Sequence, residues 1–190
     1  CILDTAKAAS RWIDLSELPA GVLNGFAGVC GIYALGKEVL ITTQGQSPVL
    51  ATINISEAIL TAHVPLKKCK DPHSLVYLDE HVYLVSTGTN EIYKVSYKQG
   101  ILGSEEFFWR YPAAGSEQDE VHLNGLTLDG GEFIASCFGP RKADGSWGSE
   151  GRVFLVNSGR DIHSGLNQPH SPIIDHGRLV VAESGAYKVH

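Results

Sequence analysis

A sixteen-residue pattern recurs in this chain, and that recurrence constrains the fold more than any other feature. His73 to Gly88 (HSLVYLDEHVYLVSTG) aligns without a gap to His170 to Gly185 (HSPIIDHGRLVVAESG), at an offset of 97 residues. Between them, HLNGLTLDGGEFIASCFG from His122 follows the same plan, and matching Asp79 to Asp129 sets an offset of 50. A weaker copy, CGIYALGKEVLITTQG from Cys30, sets an offset of 44 when Val39 is matched to Tyr83. The period is therefore 44 to 50 residues. A repeat of that length is one supersecondary unit, copied so that each copy buries its apolar faces against its neighbours.

Each unit reads as strand, tight turn, strand, Gly-containing turn and strand, with the β-branched and aromatic enrichment of sheets. Helical periodicity is nearly absent; Lys7 to Leu18 and Ser56 to His63 are the two places where a helical turn is expected. An all-β unit of this length with about four strands is the signature of a β-propeller blade. The units divide the 190 residues into a partial blade at 1–19, blades near 25–68, 69–119 and 120–167, and a truncated blade at 168–190. A closed six-bladed ring at this period needs roughly 270 to 300 residues. The expectation is one all-β propeller domain of six-bladed type, present as an incomplete set of blades.

Charge narrows the partners. With 15 Lys and Arg against 21 Asp and Glu, the formal charge is -6, and the only basic run is Lys67, Lys68 and Lys70. A phosphate-backbone ligand rewards clustered cations, so nucleic acid is not expected. No apolar run approaches the 18 or so residues of a membrane span, and the first residues lack the pattern of a signal peptide. Cys1, Cys30, Cys69 and Cys137 are scattered without CxxC pairs. They read as reduced thiols without disulfides in a cytoplasmic protein.

At DPHSLVYLDEHVYLVSTGTNEIYKV the sequence resembles an NHL-type blade. A resemblance covering nearly the whole chain is to an uncharacterised bacterial family of β-propellers, sometimes joined to tetratricopeptide repeats. The residues that carry it are DPHS at Asp71 to Ser74, STGTNEIY at Ser86 to Tyr93, DEVHLN at Asp119 to Asn124, SCFG at Ser136 to Gly139 and PHS at Pro169 to Ser171. It implies the propeller fold and brings no activity with it.

The first strand of a blade lines the central channel, so a residue just before it sits at one mouth. His73, His122 and His170 all stand there, spaced 49 and 48 residues apart. Three imidazoles from adjacent blades have the composition of a zinc or iron site. Peptidyl-hydroxyglycine lyase, a propeller of similar kind, binds zinc through histidines near its axis. Asn124 and Glu183 are oxygen donors of the kind that suits calcium, the less favoured metal, as in gluconolactonase-like and paraoxonase-like propellers. Asp71 and Asp119 precede the histidines and serve either to orient an imidazole or to cap a turn. Ser74 and Ser171 follow histidines directly and are expected to bond the blade-connecting turn rather than act as nucleophiles. The long segment 139–151 carries Arg141 and Trp147, which suit an anionic or sugar-like ligand through bidentate contact and stacking. Phe107, Phe108, Trp109 and Tyr111 read as blade core.

Two functions fit these residues. One is a metal-dependent hydrolase or lyase acting on a small polar substrate. The other is a non-catalytic module that binds a metabolite, a glycan or a protein partner at the channel mouth. The fold does not choose between them.

Overall fold

The computed structural model describes residues 2–4, 9–13, 15–18, 20, 25–112, 114–115 and 118–190, with backbone alone at 2–4 and 9–11. Cys1 lies outside the described residues, as does much of the partial blade expected at 1–19. Two short strands, β1 (Ile2–Asp4) and β2 (Ala9–Arg11), pair with each other. Three four-stranded antiparallel sheets and one three-stranded sheet follow. The first holds β3 (Phe26–Leu35), β4 (Glu38–Gly45), β5 (Val49–Asn54) and β6 (Ile59–Pro65). The second holds β7 (Pro72–Leu78), β8 (His81–Ser86), β9 (Glu91–Lys98) and β10 (Ile101–Arg110). The third holds β11 (Leu123–Asp129), β12 (Glu132–Cys137), β13 (Gly151–Leu155) and β14 (Asp161–Leu166). The last holds β15 (Pro169–Asp175), β16 (Arg178–Glu183) and β17 (Lys188–Val189). Within each sheet every strand pairs with the next in sequence, and β7 lies between β3 and β11 while β11 also meets β15. Four meandering sheets with their first strands side by side are the blades of a β-propeller. Of Ser56 to His63, where a helical turn is expected, Ser56 to Ala58 lie in a turn closed by Ala58 N donating to Asn54 O at 2.8 Å, and the rest is β6, in which Ile59, Thr61 and His63 alternate in exposure with Leu60, Ala62 and Val64. Among the described residues no helix is long and apolar enough to cross a membrane.

The hairpins fix the register between blades. Leu35, Leu78, Asp129 and Asp175 are the last paired residues of the four first strands, opposite Glu38, His81, Glu132 and Arg178. The turns between them carry positive φ at Asp79 and Glu80, at Gly130 and Gly131, and at His176 and Gly177, as two-residue hairpins demand. Asp129 therefore ends a strand, whereas Asp79 opens a turn. The true offset from the second to the third blade is 51, not 50, and from the first to the second 43, not 44.

In this register the core follows one rule. Leu75, Val82, Leu84, Tyr93 and Val95 of the second blade pack against Leu40 and Leu50 of the first. The equivalent Leu126, Phe133, Ala135, Phe154 and Val156 of the third blade pack against Val76, Val85 and Ile92 of the second. Leu179 and Val181 of the fourth meet Ile134, Val153 and Leu155 of the third. Burying one such side chain contributes about 1.5–3 kcal/mol, so each interface is a main source of stability. The innermost strands approach closely: a Cβ on Gly125 would lie 2.3 Å from the Pro172 ring. Ser74 bridges two blades, accepting from Leu126 N at 3.2 Å and facing Leu126 O at 3.4 Å. It thus joins neighbouring first strands rather than the connecting turn. Phe108, Trp109 and Tyr111 pack on the core, while Phe107 is exposed.

A buried amide locks the second blade to its outgoing linker. Asn90 is fully buried in the left-handed conformation that Asn tolerates. Its amide donates to Gly115 O at 3.0 Å and Gln118 O at 2.7 Å, and its carbonyl accepts from Glu120 N and Val121 N, both at 3.1 Å. The neighbouring Glu91 is buried against Arg110 and Tyr93. Burial alone would raise its pKa, but hydrogen bonds from Tyr93, Arg110 and Thr89, with the charge of Arg110, hold it below the ordinary value.

Asn90→Ala strands four backbone groups of the linker and is expected to cost roughly 3 kcal/mol, read as a lower urea midpoint with an unchanged slope. The Glu91 contribution is present above the ordinary carboxylate pKa and is lost as pH falls through its lowered folded value. Wild type should therefore lose stability in acid more steeply than Glu91→Gln.

Candidate functional site at the channel mouth

The first strands enclose an axial cavity of about 340 Å³, lined by Cys30, His73, Asn124 and Ser171 with their strand neighbours. The register makes Cys30, His73, Asn124 and His170 equivalent, one from each blade, five residues before the end of the first strand. His122 is one of three site histidines but not at that position. It is the residue before β11, equivalent to Asp71 and Gln168, and all three have positive φ. The shared position inferred for His73, His122 and His170 is corrected by two residues at His122.

The imidazoles nevertheless meet. The rings of His73 and His122 have centroids 5.2 Å apart and those of His122 and His170 6.3 Å apart, both edge to face. Phe138 lies 4.2 Å from His122 and 4.8 Å from His170, and Trp147 lies 5.5 Å from His122. Arg141 bridges to Trp147 as an isolated strand pair, with its guanidinium 5.5 Å from the indole and its Nε donating to Gly145 O at 3.1 Å. The segment 139–150 thus places Trp147 beside His122 and Phe138. A second, larger cavity of about 590 Å³ is lined by Tyr111, Asp119, Val121, Pro140 and Arg141 with their neighbours.

Each imidazole is held through the same nitrogen. His73 Nδ1 donates to Asp71 O at 3.1 Å, with Gln44 bonded to the Asp71 carboxylate at 2.6 Å. His122 Nδ1 donates to Asp119 Oδ2 at 2.7 Å, and the other Asp119 oxygen accepts from His122 N at 2.7 Å. His170 Nδ1 donates to Gln168 O at 3.1 Å and lies 2.6 Å from Ser184 Oγ. A carbonyl or carboxylate oxygen only accepts, so these bonds favour the proton on Nδ1 and a lone pair on Nε2 of the neutral ring, with Gln44 Nε2, 3.4 Å from His73 Nδ1, and the Ser184 hydroxyl as the competing donors to that nitrogen. No hydrogen bond reaches any of these three Nε2 atoms among the described residues. Burial lowers the His170 pKa, the charges of His122 and His73 lower it further, and the bond to Gln168 partly opposes them.

The other expected site residues divide. Asn124 accepts from Ser136 Oγ at 2.6 Å and donates to His122 O at 3.1 Å, so it braces the histidine backbone beside the cavity. Glu183 stands apart: one oxygen accepts from Asn167 N at 2.7 Å and the other pairs with His190 at 2.7 Å. Its equivalent in the second blade is Ser86, which accepts from Lys70 N at 2.8 Å, so both side chains hold the start of a first strand. Among the described residues no group of three His, Cys, Asp or Glu could hold a metal ion. Phe138, Cys30, Gln44 and Ser184 were not anticipated as site residues. A 43-residue offset would have aligned Cys30 with His73, whereas nothing in a single sequence separates Phe138 from a core aromatic.

No protein-family model and no curated protein matches this chain. Solved structures do. A chain of the nidogen/laminin complex is 11% identical, with a TM-score of 0.59 over 85% of this chain and 59% of that one. The β-propeller domain of Myceliophteria thermophila Cps50 (Swd1) is 11% identical, with a TM-score of 0.53 over 85% of this chain and 52% of that one. The computationally designed Ika4 protein is 9% identical, with a TM-score of 0.51 over 96% of both chains. This chain thus spans just over half the length of the two natural structures. The likeness shows the propeller fold.

The site gives a test of channel access. Cys30, Cys69 and Cys137 are all free thiols, but Cys69 and Cys137 are buried. Burial raises the Cys69 thiol far above its usual range and pushes Cys137 up to about 11, while Cys30 is raised by partial burial and by Asp71. Iodoacetamide at pH 8 should modify Cys30 ahead of Cys69 and Cys137 in the native protein, with all three modified after denaturation; peptide mass spectrometry reads the order.

Proposed function

We propose that this protein is a propeller binding module whose channel mouth holds a small polyhydroxylated ligand, a sugar or sugar-like metabolite. The observation that carries the reading is the shared Nδ1 anchoring of His73, His122 and His170, which leaves three Nε2 acceptors beside an aromatic wall. Acceptors of that kind take hydroxyl donors. The apolar face of a sugar ring stacks on an indole such as Trp147, and Arg141 would favour an acidic sugar by a charge-assisted bond. Binding rather than turnover is the activity this donor set supports: Ser184 Oγ lies 2.6 Å from His170 Nδ1, but that nitrogen carries its proton toward Gln168 O and so does not act as a base on the hydroxyl.

Metal binding is the second reading, because an imidazole anchored through Nδ1 to a carboxylate or carbonyl is also how metal-ligating histidines are oriented. In that reading the rings would have to close in, since as they stand no group of three described side chains could hold an ion; zinc or iron held there would supply the hydrolase or lyase with a Lewis acid. A protein partner at the mouth draws its support from the fold that this chain shares with the nidogen/laminin complex. The three free thiols support a reducing, cytoplasmic setting.

Titration calorimetry of the chain with neutral monosaccharides, uronic acids, ZnCl2 and CaCl2 separates these readings. Saturable sugar binding in metal-free buffer, weakened at least about tenfold by His122→Ala or Trp147→Ala, is the expected result; each substitution removes one hydrogen bond or one stacking face, about 1.4 kcal/mol or more. Binding should weaken as pH falls through the lowered pKa of His170, because a second proton on that imidazole removes its Nε2 acceptor. Stoichiometric zinc binding without sugar binding would move the assignment to the metal reading.

A further inference from the structure

The cavity of about 590 Å³ is charged in both senses. Glu120 contributes a carboxylate to its lining, Arg141 and Lys142 contribute a guanidinium and an ammonium, and Tyr111, Val121 and Pro140 add apolar surface. Asp119 also lines it, but both Asp119 oxygens are engaged by His122. Among the described residues no ion pair or hydrogen bond joins the Glu120 carboxylate to either cation. Opposite charges that share a cavity without neutralising each other are complementary to a ligand that carries both.

The segments that carry these groups are already fixed. The buried Asn90 binds Glu120 N at 3.1 Å and Gly115 O at 3.0 Å. Arg141 N donates to Glu120 O at 2.9 Å, Lys142 N to Ser146 O at 3.0 Å and Gly145 N to Lys142 O at 2.9 Å. Arg141 Nε donates to Gly145 O, which leaves the two terminal nitrogens of the guanidinium for a carboxylate met end-on. Asp144 feels the Lys142 charge, but its carboxylate is engaged by the Ser146 hydroxyl at 2.6 Å. A lining ordered before its ligand arrives loses less conformational freedom on binding.

We infer that this cavity binds a free α-amino acid with an apolar side chain. Its carboxylate pairs with Arg141 and Lys142, its ammonium with Glu120, and its side chain lies against Tyr111, Val121 and Pro140. Each charged group of such a ligand meets one of opposite sign, and the guanidinium suits a carboxylate through two parallel N–H bonds. The assignment stands without the sugar reading of the channel mouth. It is nonetheless connected to the histidines, because Asp119 lines the cavity and holds His122, and Arg141 lines it and lies over Trp147.

Titration calorimetry with L-valine, L-leucine and L-phenylalanine, beside their N-acetyl derivatives and the corresponding decarboxylated amines, tests this. Each derivative lacks one of the two charges. Saturable binding of at least one free amino acid is expected, with both of its derivatives at least about tenfold weaker. Glu120→Gln and Lys142→Ala should each weaken the free amino acid by a similar factor with an unchanged far-UV spectrum, since neither side chain is buried. His170→Ala should leave this binding intact, which keeps the result apart from that of the channel-mouth ligand. Absence of saturable heat from all three amino acids at millimolar concentration would overturn the inference. So would binding that the N-acetyl derivative matches, or that neither substitution affects.

Discussion

Burial of one blade's face against the next is the interaction on which everything else depends. A four-stranded meander has two faces, and a single sheet of this size cannot bury both within itself. Val82 and Leu84 against the first blade, and Phe133 and Ala135 against the second, show the requirement being met at the same register positions in successive blades. Face-to-face stacking forces the first strands together at the axis. Gly125 opposite Pro172 is the local consequence, since a side chain there would hold the third and fourth blades apart.

The axis inherits its chemistry from this geometry. Residues five positions before the end of a first strand converge whether or not they bind anything, and here they are Cys30, His73, Asn124 and His170. Polar bonds then aim them. Asn90 fixes the linker at Glu120 and Val121, immediately before His122, so the placement of that imidazole depends on a buried amide in the preceding blade. Ser86 and Glu183 perform one task with different side chains, and a carboxylate that looks like a ligand in the sequence is a strut in the structure.

Much of this was legible in the sequence, because repetition reports the architecture directly. The gapless pairing of His73 to Gly88 with His170 to Gly185 reflects two hairpins with identical register, so that stretch could be read without error. The third copy misled by one residue because Asp79 opens a turn built on Asp and Glu, whereas Asp129 precedes a turn built on two glycines. Turn residues of different chemistry satisfy the same backbone angles, and matching like letters shifted the register. That slip put Leu123 opposite His73 and hid Asn124 as its equivalent, and His122 took the place only by allowing one further residue of slip. The aromatic wall was legible only in part, since Trp147 stood out in a long segment while Phe138 looked like any buried strand residue.

The central claim is that three imidazoles present unprotonated Nε2 atoms to one channel mouth. Long-range proton–nitrogen correlation of the side chains at pH 8 measures this directly, because protonated and lone-pair nitrogens resonate far apart. The account predicts the Nδ1–H form for His73, His122 and His170 together. A dominant Nε2–H form at two of the three would contradict it, because those rings would offer donors where the proposed ligand needs acceptors.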